Sequence, residues 1–258
     1  GARLAGGSGT YYGTIRINLE RAGRGREAAG RQPSLLSARV PIQERAMLSG
    51  DDPFEAEAER YDAWFDRHPA AYVSELLALR AFVPWQGAGL ELGVGTGRFA
   101  APLGVCTGVD PSPAMLAQAR ARGVEGVAGY GEALPWPDAA FDHVLMVTTL
   151  CFLHDPHTAL GEARRVLKPG GRLTAGLVDR ATPLGERYEA RRGESPFYVH
   201  ARFFSATEAE ALLAEAGFQI DGRGQTLVRA PGGGGEAIEP LRPGTGEGGF
   251  AVLSALVA

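Results

Sequence analysis

Cysteine is nearly absent from the 258-residue chain. Cys106 and Cys151 are the only two, too few for a disulfide scaffold or a four-thiolate zinc site. Both sit in apolar stretches, where cysteine usually packs as a small hydrophobe. No apolar run approaches the roughly 20 residues of a membrane-spanning helix, which excludes an integral helical membrane protein. Lysine occurs once, at Lys168, and the first methionine is Met47. No internal repeat and no histidine–carboxylate cluster at a metal-ligand spacing is visible, so no metal is expected. What remains is 45% hydrophobic and 22% charged, ordinary for one cytoplasmic α/β or α+β domain.

Charge is unevenly spread. Residues 1–46 hold 8 arginines against 3 glutamates, while the other 18 basic and 27 acidic residues leave the body at −9. A body this acidic is a poor partner for nucleic acid or an anionic membrane. The first 46 residues have glycine punctuation and no sustained period of 2 or 3.6. They read as a leader, tag or disordered tail outside the fold, with a transit peptide as a further alternative. The domain is expected over 47–258.

From residue 54 the pattern becomes regular. Residues 54–66 and 70–83 form two amphipathic helices, with Phe54, Tyr61, Trp64 and Phe65, then Tyr72, Leu76 and Leu79, at helical spacing. Strands follow at 88–94, 104–110, 124–130, 141–150 and 171–179. Ser112-Pro113 and Asp155-Pro156 each begin a helix with a cap and a first-turn proline. The second of these helices is expected to stop at 168–171. After an irregular stretch at 180–204, a helix over 205–218 opens on a Ser205/Glu208 capping box. Two strands at 225–230 and 249–257 finish the chain. Alternating strands and helices predict a doubly wound, mostly parallel seven-stranded sheet with an antiparallel last strand and helices on both faces.

In such a sheet, ligands lie beyond the C-terminal strand ends, where strand order reverses. The first strand ends in Glu91-Leu92-Gly93-Val94-Gly95-Thr96-Gly97, and the second in Asp110, 17 residues after Gly93. A glycine loop brings backbone to a ligand, and a strand-end carboxylate suits ribose hydroxyls. The dinucleotide fingerprint needs a third glycine where this chain has Arg98.

The G-x-G-x-G spacing, with Glu91 two residues upstream, resembles motif I of class I S-adenosylmethionine-dependent methyltransferases. GVDPSPAML (108–116) resembles that family's ribose segment, GYGEALPWPDAAFDHV (129–144) its adenine loop and fourth strand, and EARRVLKPGGRL (162–173) its last signature. Residues 53–257 further resemble a prokaryotic group within the type 11 methyltransferases, through VTTLCFLHDP (147–156), LVDRATPLGERY (177–188), SPFYVHARFFS (195–205) and GTGEGGFAV (244–252).

The resemblance implies S-adenosylmethionine as cofactor, with S-adenosylhomocysteine as product. It implies that Asp110 holds the ribose and that Gly93, Gly95 and Gly97 approach the methionine and ribose parts. Glu91 would organise the loop or serve only as an anchor. Gly131 and Glu132 would flank the adenine, Met115 would pack on its face, and Tyr61 would cover the methionine moiety unless it and Trp64 merely pack helices. Val94, Pro111, Ser112, Ala133, Val147 and Thr148 complete the implied cofactor shell.

Two positions depart from the family pattern. Gly129-Tyr130-Gly131 replaces the frequent G-D-A, and Cys151-Phe152 stands where a His-His pair is common.

Methyl transfer from a sulfonium is an in-line displacement that needs positioning first, and a base only for an acceptor that must lose a proton. His154, Asp155, Asp179 and His200 are the candidate bases, with Asp155 also a helix cap; His154 is the one carried forward. His143, His157 and His68 read as surface residues. Arg180, Tyr198 and Arg202 in the 180–204 stretch suit an anionic or aromatic acceptor. Alternatively, the stretch is an aromatic lid with Arg202 reaching to water. The (N/D)PPY signature of base-directed amino methylases and a Pro-Cys nucleophile are both missing, which favours a small-molecule acceptor over nucleic acid. The other functions weighed are a non-catalytic S-adenosylmethionine sensor or scaffold and a nicotinamide-dependent oxidoreductase.

Overall fold

The computed structural model describes residues 52–229 and 237–258. The 1–46 segment and the Gly-rich stretch from 230 lie outside them. Three helices lead into the sheet: α1 (Pro53–Ala56), α2 (Ala58–Arg67) and α3 (Pro69–Arg80). The alternating part then runs β1 (Gly89–Leu92), α4 (Ala100–Leu103), β2 (Thr107–Asp110), α5 (Pro113–Ala121), β3 (Glu125–Ala128), β4 (Phe141–Val147), α6 (Pro156–Val166) and β5 (Leu167–Val178). The chain ends with α7 (Pro183–Ala190), α8 (Ala206–Glu215), β6 (Phe218–Thr226), β7 (Arg242–Pro243) and β8 (Phe250–Val257).

The strand order is β3-β2-β1-β4-β5-β8-β6-β7. The first five strands are parallel, whereas β8 runs antiparallel between β5 and β6, and β7 antiparallel to β6. From β1 the chain moves outward through β2 and β3, then returns to place β4 on the other side of β1. That reversal opens a crevice at the C-terminal ends of β1 and β4.

Both faces of the sheet are apolar and covered. Along β4, Val144 and Met146 join one cluster with Leu160 and Ala163 of α6 and Leu213 of α8, while Leu145 and Val147 join the other with Leu79 of α3, Ala100 of α4 and Leu116 of α5. Strand alternation thus supplies two cores from one run of hydrophobic residues. The caps form as their chemistry dictates. The Ser112 hydroxyl accepts from Met115 N, Asp155 accepts from the amides of His157 and Thr158, and Ser205 and Glu208 close a full capping box.

Four expectations change. Among the described residues the sheet has eight strands, because Arg242–Pro243 adds a short edge to β6. The strand expected at 225–230 lies at 218–226: Gly217, at φ +84°, turns α8 directly into it, and Leu227, at φ +59°, ends it. Helix α6 stops at Val166, and β5 takes up 167–171 with a register shift opposite Phe141 and His143. The irregular 180–204 stretch contains α7, capped by Thr182.

Two side chains also depart from expectation. His143 is buried because both faces of β4 are covered: it lies on the face of Leu145 and Val147, and its ring occupies the space that the missing side chain of Gly89 leaves on β1. Cys106 is exposed, whereas Cys151 is partly buried.

Candidate functional site

The 93–97 loop leaves β1 with Gly93, Gly95 and Gly97 all at positive φ. A Cβ on Gly93 would stand 2.5 Å from the Thr149 side chain, whose hydroxyl donates to Leu92 O at 2.9 Å. A Cβ on Gly95 would meet nothing within 4 Å. The first glycine therefore permits close packing against the end of β4, and the second leaves a space facing the crevice.

Asp110 holds this loop from β2. Its Oδ2 accepts from Gly95 N and its Oδ1 from Ser112 N, each at 2.9 Å. Every carboxylate oxygen can accept twice, so each keeps an acceptor site for a ligand. Burial pushes the Asp110 carboxyl up to about 6, against the two amides that favour its ion, with Asp52 and Glu55 adding repulsion. Ser112 donates its hydroxyl to Glu55 at 2.6 Å, which brings α1 over the start of α5. Pro111 is half-buried beside it, and Met115 and Val94 are buried.

Glu91 is enclosed. Burial drives its carboxyl well above the usual carboxylate range, Ala100 N–H bonds to it, and its Oε2 has no partner. It braces the start of α4 beneath the loop. Glu132 accepts from the amides of His154 and Asp155 at 2.9 and 3.2 Å, so it ties the 129–134 loop to the segment after β4. Gly131 is buried against Leu92, and Ala133 is exposed.

Arg98 is the residue that the sequence left without a role. Its guanidinium meets Asp62 of α2 through Nε at 2.9 Å and Nη2 at 2.7 Å, and Arg122 meets the same carboxylate at 2.7 Å. Tyr72 Oη donates to Arg98 O at 2.6 Å, and Arg122 donates to Thr96 O at 2.8 Å. Where a dinucleotide fold has glycine, this chain has a clasp that fastens α2 and α3 over the loop.

A cavity of about 550 Å³ lies between α2–α3 and the 184–198 stretch. Thr148 at the end of β4 and Val178 at the end of β5 border it at the sheet, and Tyr61, Trp64, Tyr188 and Tyr198 supply aromatic walls. Thr148 sits at φ +50°, a conformation that a β-branched residue holds only under surrounding constraint. Burial pushes the Tyr61 phenol well above its ordinary range, partly offset by the neighbouring Thr148 side chain. Burial likewise lifts the Tyr188 phenol to about 12 and the Cys151 thiol to about 12. These groups are neutral across physiological pH.

The sequence-predicted residues therefore separate. Tyr61, Thr148 and Tyr198 share the cavity, with Val147 buried behind Thr148. Arg180 and Arg202 border a different groove of about 360 Å³ with Glu189 and Glu208. There Arg180 pairs with Glu208, and the Arg202 guanidinium lies 5.0 Å from the Phe204 ring centre. His154 and His200 are exposed and do not border the cavity. Asp155 caps α6, and Asp179 accepts from Ala181 N at 3.0 Å in the turn after β5.

Glu75 was not singled out in the sequence. It borders the cavity from α3, is buried, and accepts no hydrogen bond from the described residues. Burial raises its carboxyl to about 8. The signal was available: Tyr72, Glu75, Leu76 and Leu79 form one i, i+3, i+4, i+7 stripe, and a carboxylate on an apolar stripe is out of place. Among the described residues, no group of three or more His, Cys, Asp or Glu side chains could hold a metal, and no helix is long and apolar enough to cross a membrane.

The profile of the methyltransferase domain family matches residues 90–175. An uncharacterised protein of Methanocaldococcus jannaschii is 42% identical over 204 residues, which cover 78% of this chain and 97% of that one. A second uncharacterised protein, from Mycobacterium tuberculosis, is 43% identical over 206 residues, covering 78% and 72%. Among solved structures, a SAM-dependent methyltransferase of Thermotoga maritima, described as a possible histamine N-methyltransferase, matches with a TM-score of 0.76. It is 46% identical and the match covers 80% of this chain and 98% of that one.

Proposed function

Because the chain belongs to the S-adenosylmethionine-dependent methyltransferases and uses S-adenosylmethionine as cofactor, we propose that it methylates a small-molecule acceptor seated in the cavity under α2 and α3. The observation that carries this reading is the cavity itself. At about 550 Å³ it falls in the roughly 300–1,000 Å³ range of small-molecule sites, and it begins at Thr148, on the sheet edge that also bears the glycine loop.

The loop and its partners fit the cofactor. Gly95 leaves open space and Asp110 keeps free acceptor positions toward ribose hydroxyls, while Met115, fully buried at the start of α5, supports the segment from beneath. Glu91 and Glu132 act as braces that hold the two loops at their spacing. When bound, the cofactor supplies a methyl group on a positively charged sulfur, an electrophile that needs no further activation. The chain's own share is orientation and exclusion of water. Tyr61 and Thr148 fix the inner wall, and the aromatic rings of α2 and the 184–198 stretch keep solvent from the reacting atoms. His154 takes no part in this scheme, since its ring lies outside the cavity.

Calorimetry should show binding of S-adenosylmethionine and S-adenosylhomocysteine and none of NAD. Labelled cofactor incubated with a metabolite extract should yield a labelled small molecule, with amines as the first set to try because of the Thermotoga relative's description. Binding without transfer would instead make the chain a sensor.

A pH dependence follows from Asp110. Ribose hydroxyls donate to the ionised carboxylate, so the complex favours the ion, whereas the free protein holds this carboxyl up to about 6. Affinity should be flat at neutral pH and fall as pH drops through that value, by up to about tenfold per pH unit. In Asp110→Asn that slope should disappear. A wild-type affinity unchanged between neutral and acid pH would show that Asp110 does not contact the cofactor.

A further inference from the structure

Two kinds of charge meet at the cavity. Glu75 is 8% exposed and has no hydrogen-bond or ion-pair partner among the described residues, so it is the buried, acidic end. Arg60, Arg67, Arg187 and Arg191 border the same cavity, and all four are exposed. Arg60 pairs with Glu57 and Arg191 with Glu194. Arg67 and Arg187 have no ion-pair partner among the described residues. Arg67 and Arg187 thus leave two unneutralised positive charges at one opening, on a body whose total from residue 47 onward is −9. The walls between the two ends are aromatic, a surface that suits a flat ring.

Taking the methyltransferase reading as its basis, we propose that the acceptor is an aromatic acid: its anionic group rests on Arg67 and Arg187 at the opening, and its hydroxyl or amino group faces Glu75 inside. Guanidiniums recognise carboxylates and phosphates by paired N–H donors, which accounts for the outer end. At the inner end, the nucleophile X–H forms the new C–X bond as the methyl–sulfur bond breaks. The bonding pair stays on sulfur, whose positive charge is thereby neutralised, and the proton of X–H passes to the Glu75 carboxylate. A carboxyl raised by burial is a stronger base than an exposed one once it is ionised; with Glu75 lifted to about 8 the transfer favours alkaline pH, and no described residue competes for the carboxylate.

The test uses the full chain saturated with S-adenosylhomocysteine and three ring-matched probes: 4-hydroxybenzoate, 4-hydroxybenzamide and tyramine. Calorimetry should rank the anion at least about tenfold tighter than the neutral and cationic probes. The Arg67→Gln/Arg187→Gln double variant should erase that preference without changing S-adenosylhomocysteine affinity; both side chains are exposed, so the fold is not at stake. Preference for tyramine, or no preference at all, overturns the proposal while leaving the methyltransferase reading intact. Failure to bind S-adenosylhomocysteine overturns that reading first.

For Glu75, labelled product formed from a metabolite extract should be retained on an anion exchanger. Its rate of formation should drop about 100-fold in Glu75→Gln, with melting temperature and S-adenosylhomocysteine affinity unchanged. Full transfer by Glu75→Gln, or a cationic product, overturns the role of Glu75.

Discussion

Asp110→Ala should lower affinity for S-adenosylmethionine by about 10²- to 10⁴-fold, the largest effect expected from a single substitution in this chain. Two contributions combine. Hydrogen bonds from ribose hydroxyls to a carboxylate contribute about 1.5–3 kcal/mol each, so a pair is worth roughly 3–6 kcal/mol, and each 1.4 kcal/mol is tenfold. The same oxygens also hold Gly95 N and Ser112 N at 2.9 Å, so the loop loses its tether when the carboxylate goes. Asp110→Asn keeps one oxygen acceptor and should lose less. Calorimetry with S-adenosylmethionine on folded variants measures both. An affinity within threefold of wild type in Asp110→Ala would mean that the ribose is held elsewhere.

This part of the molecule was legible in the sequence because its determinants are local. Gly93, Gly95 and Gly97 act through their own backbone angles, Ser112 and Asp155 cap helices that begin at the next residue, and Asp110 ends the strand that pairs with β1. The cavity was only half legible. Its walls come from α2–α3 and from residues 184–198, more than a hundred positions apart, and no periodicity reports which faces of such segments meet. Tyr198 fell on the inner side, while Arg202 turned outward onto Phe204. Nothing in the run of aromatics around Arg202 encodes that turn. Strand β6, which lies between β8 and β7, was misplaced for another reason: PheGlnIleAspGlyArgGly, residues 218–224, alternates only weakly, and the more apolar residues just after it drew the prediction.

Arg98 shows how a departure from a motif carries information when its partner is known, and it sets the second large effect. Asp62→Ala should destabilise the fold by about 3 kcal/mol, near the lower end for removing one member of a buried ionic cluster. That corresponds to roughly 6–12 °C in Tm for a domain of this size. Asp62 is mostly buried, with its side chain 12% exposed, and it faces two guanidiniums at 2.7 Å. Without it, Arg98 and Arg122 repel each other beneath α2. Burial alone would raise the Asp62 carboxyl, but Arg98 and Arg122 outweigh it and the carboxyl lies below its ordinary value. The stabilisation it contributes is therefore present above the usual carboxylate range and is lost as pH falls through the lowered value. The wild-type and Asp62→Ala melting temperatures should accordingly converge in acid. Asp66 is the internal control: it also meets Arg98, at 2.9 Å, but its side chain is 68% exposed, and Asp66→Ala should cost under about 1 kcal/mol. If both variants melt alike, the clasp does not fasten the helices. If only Asp62→Ala melts early, and with it loses binding of the anionic probe, the ion cluster is what keeps the cavity roofed.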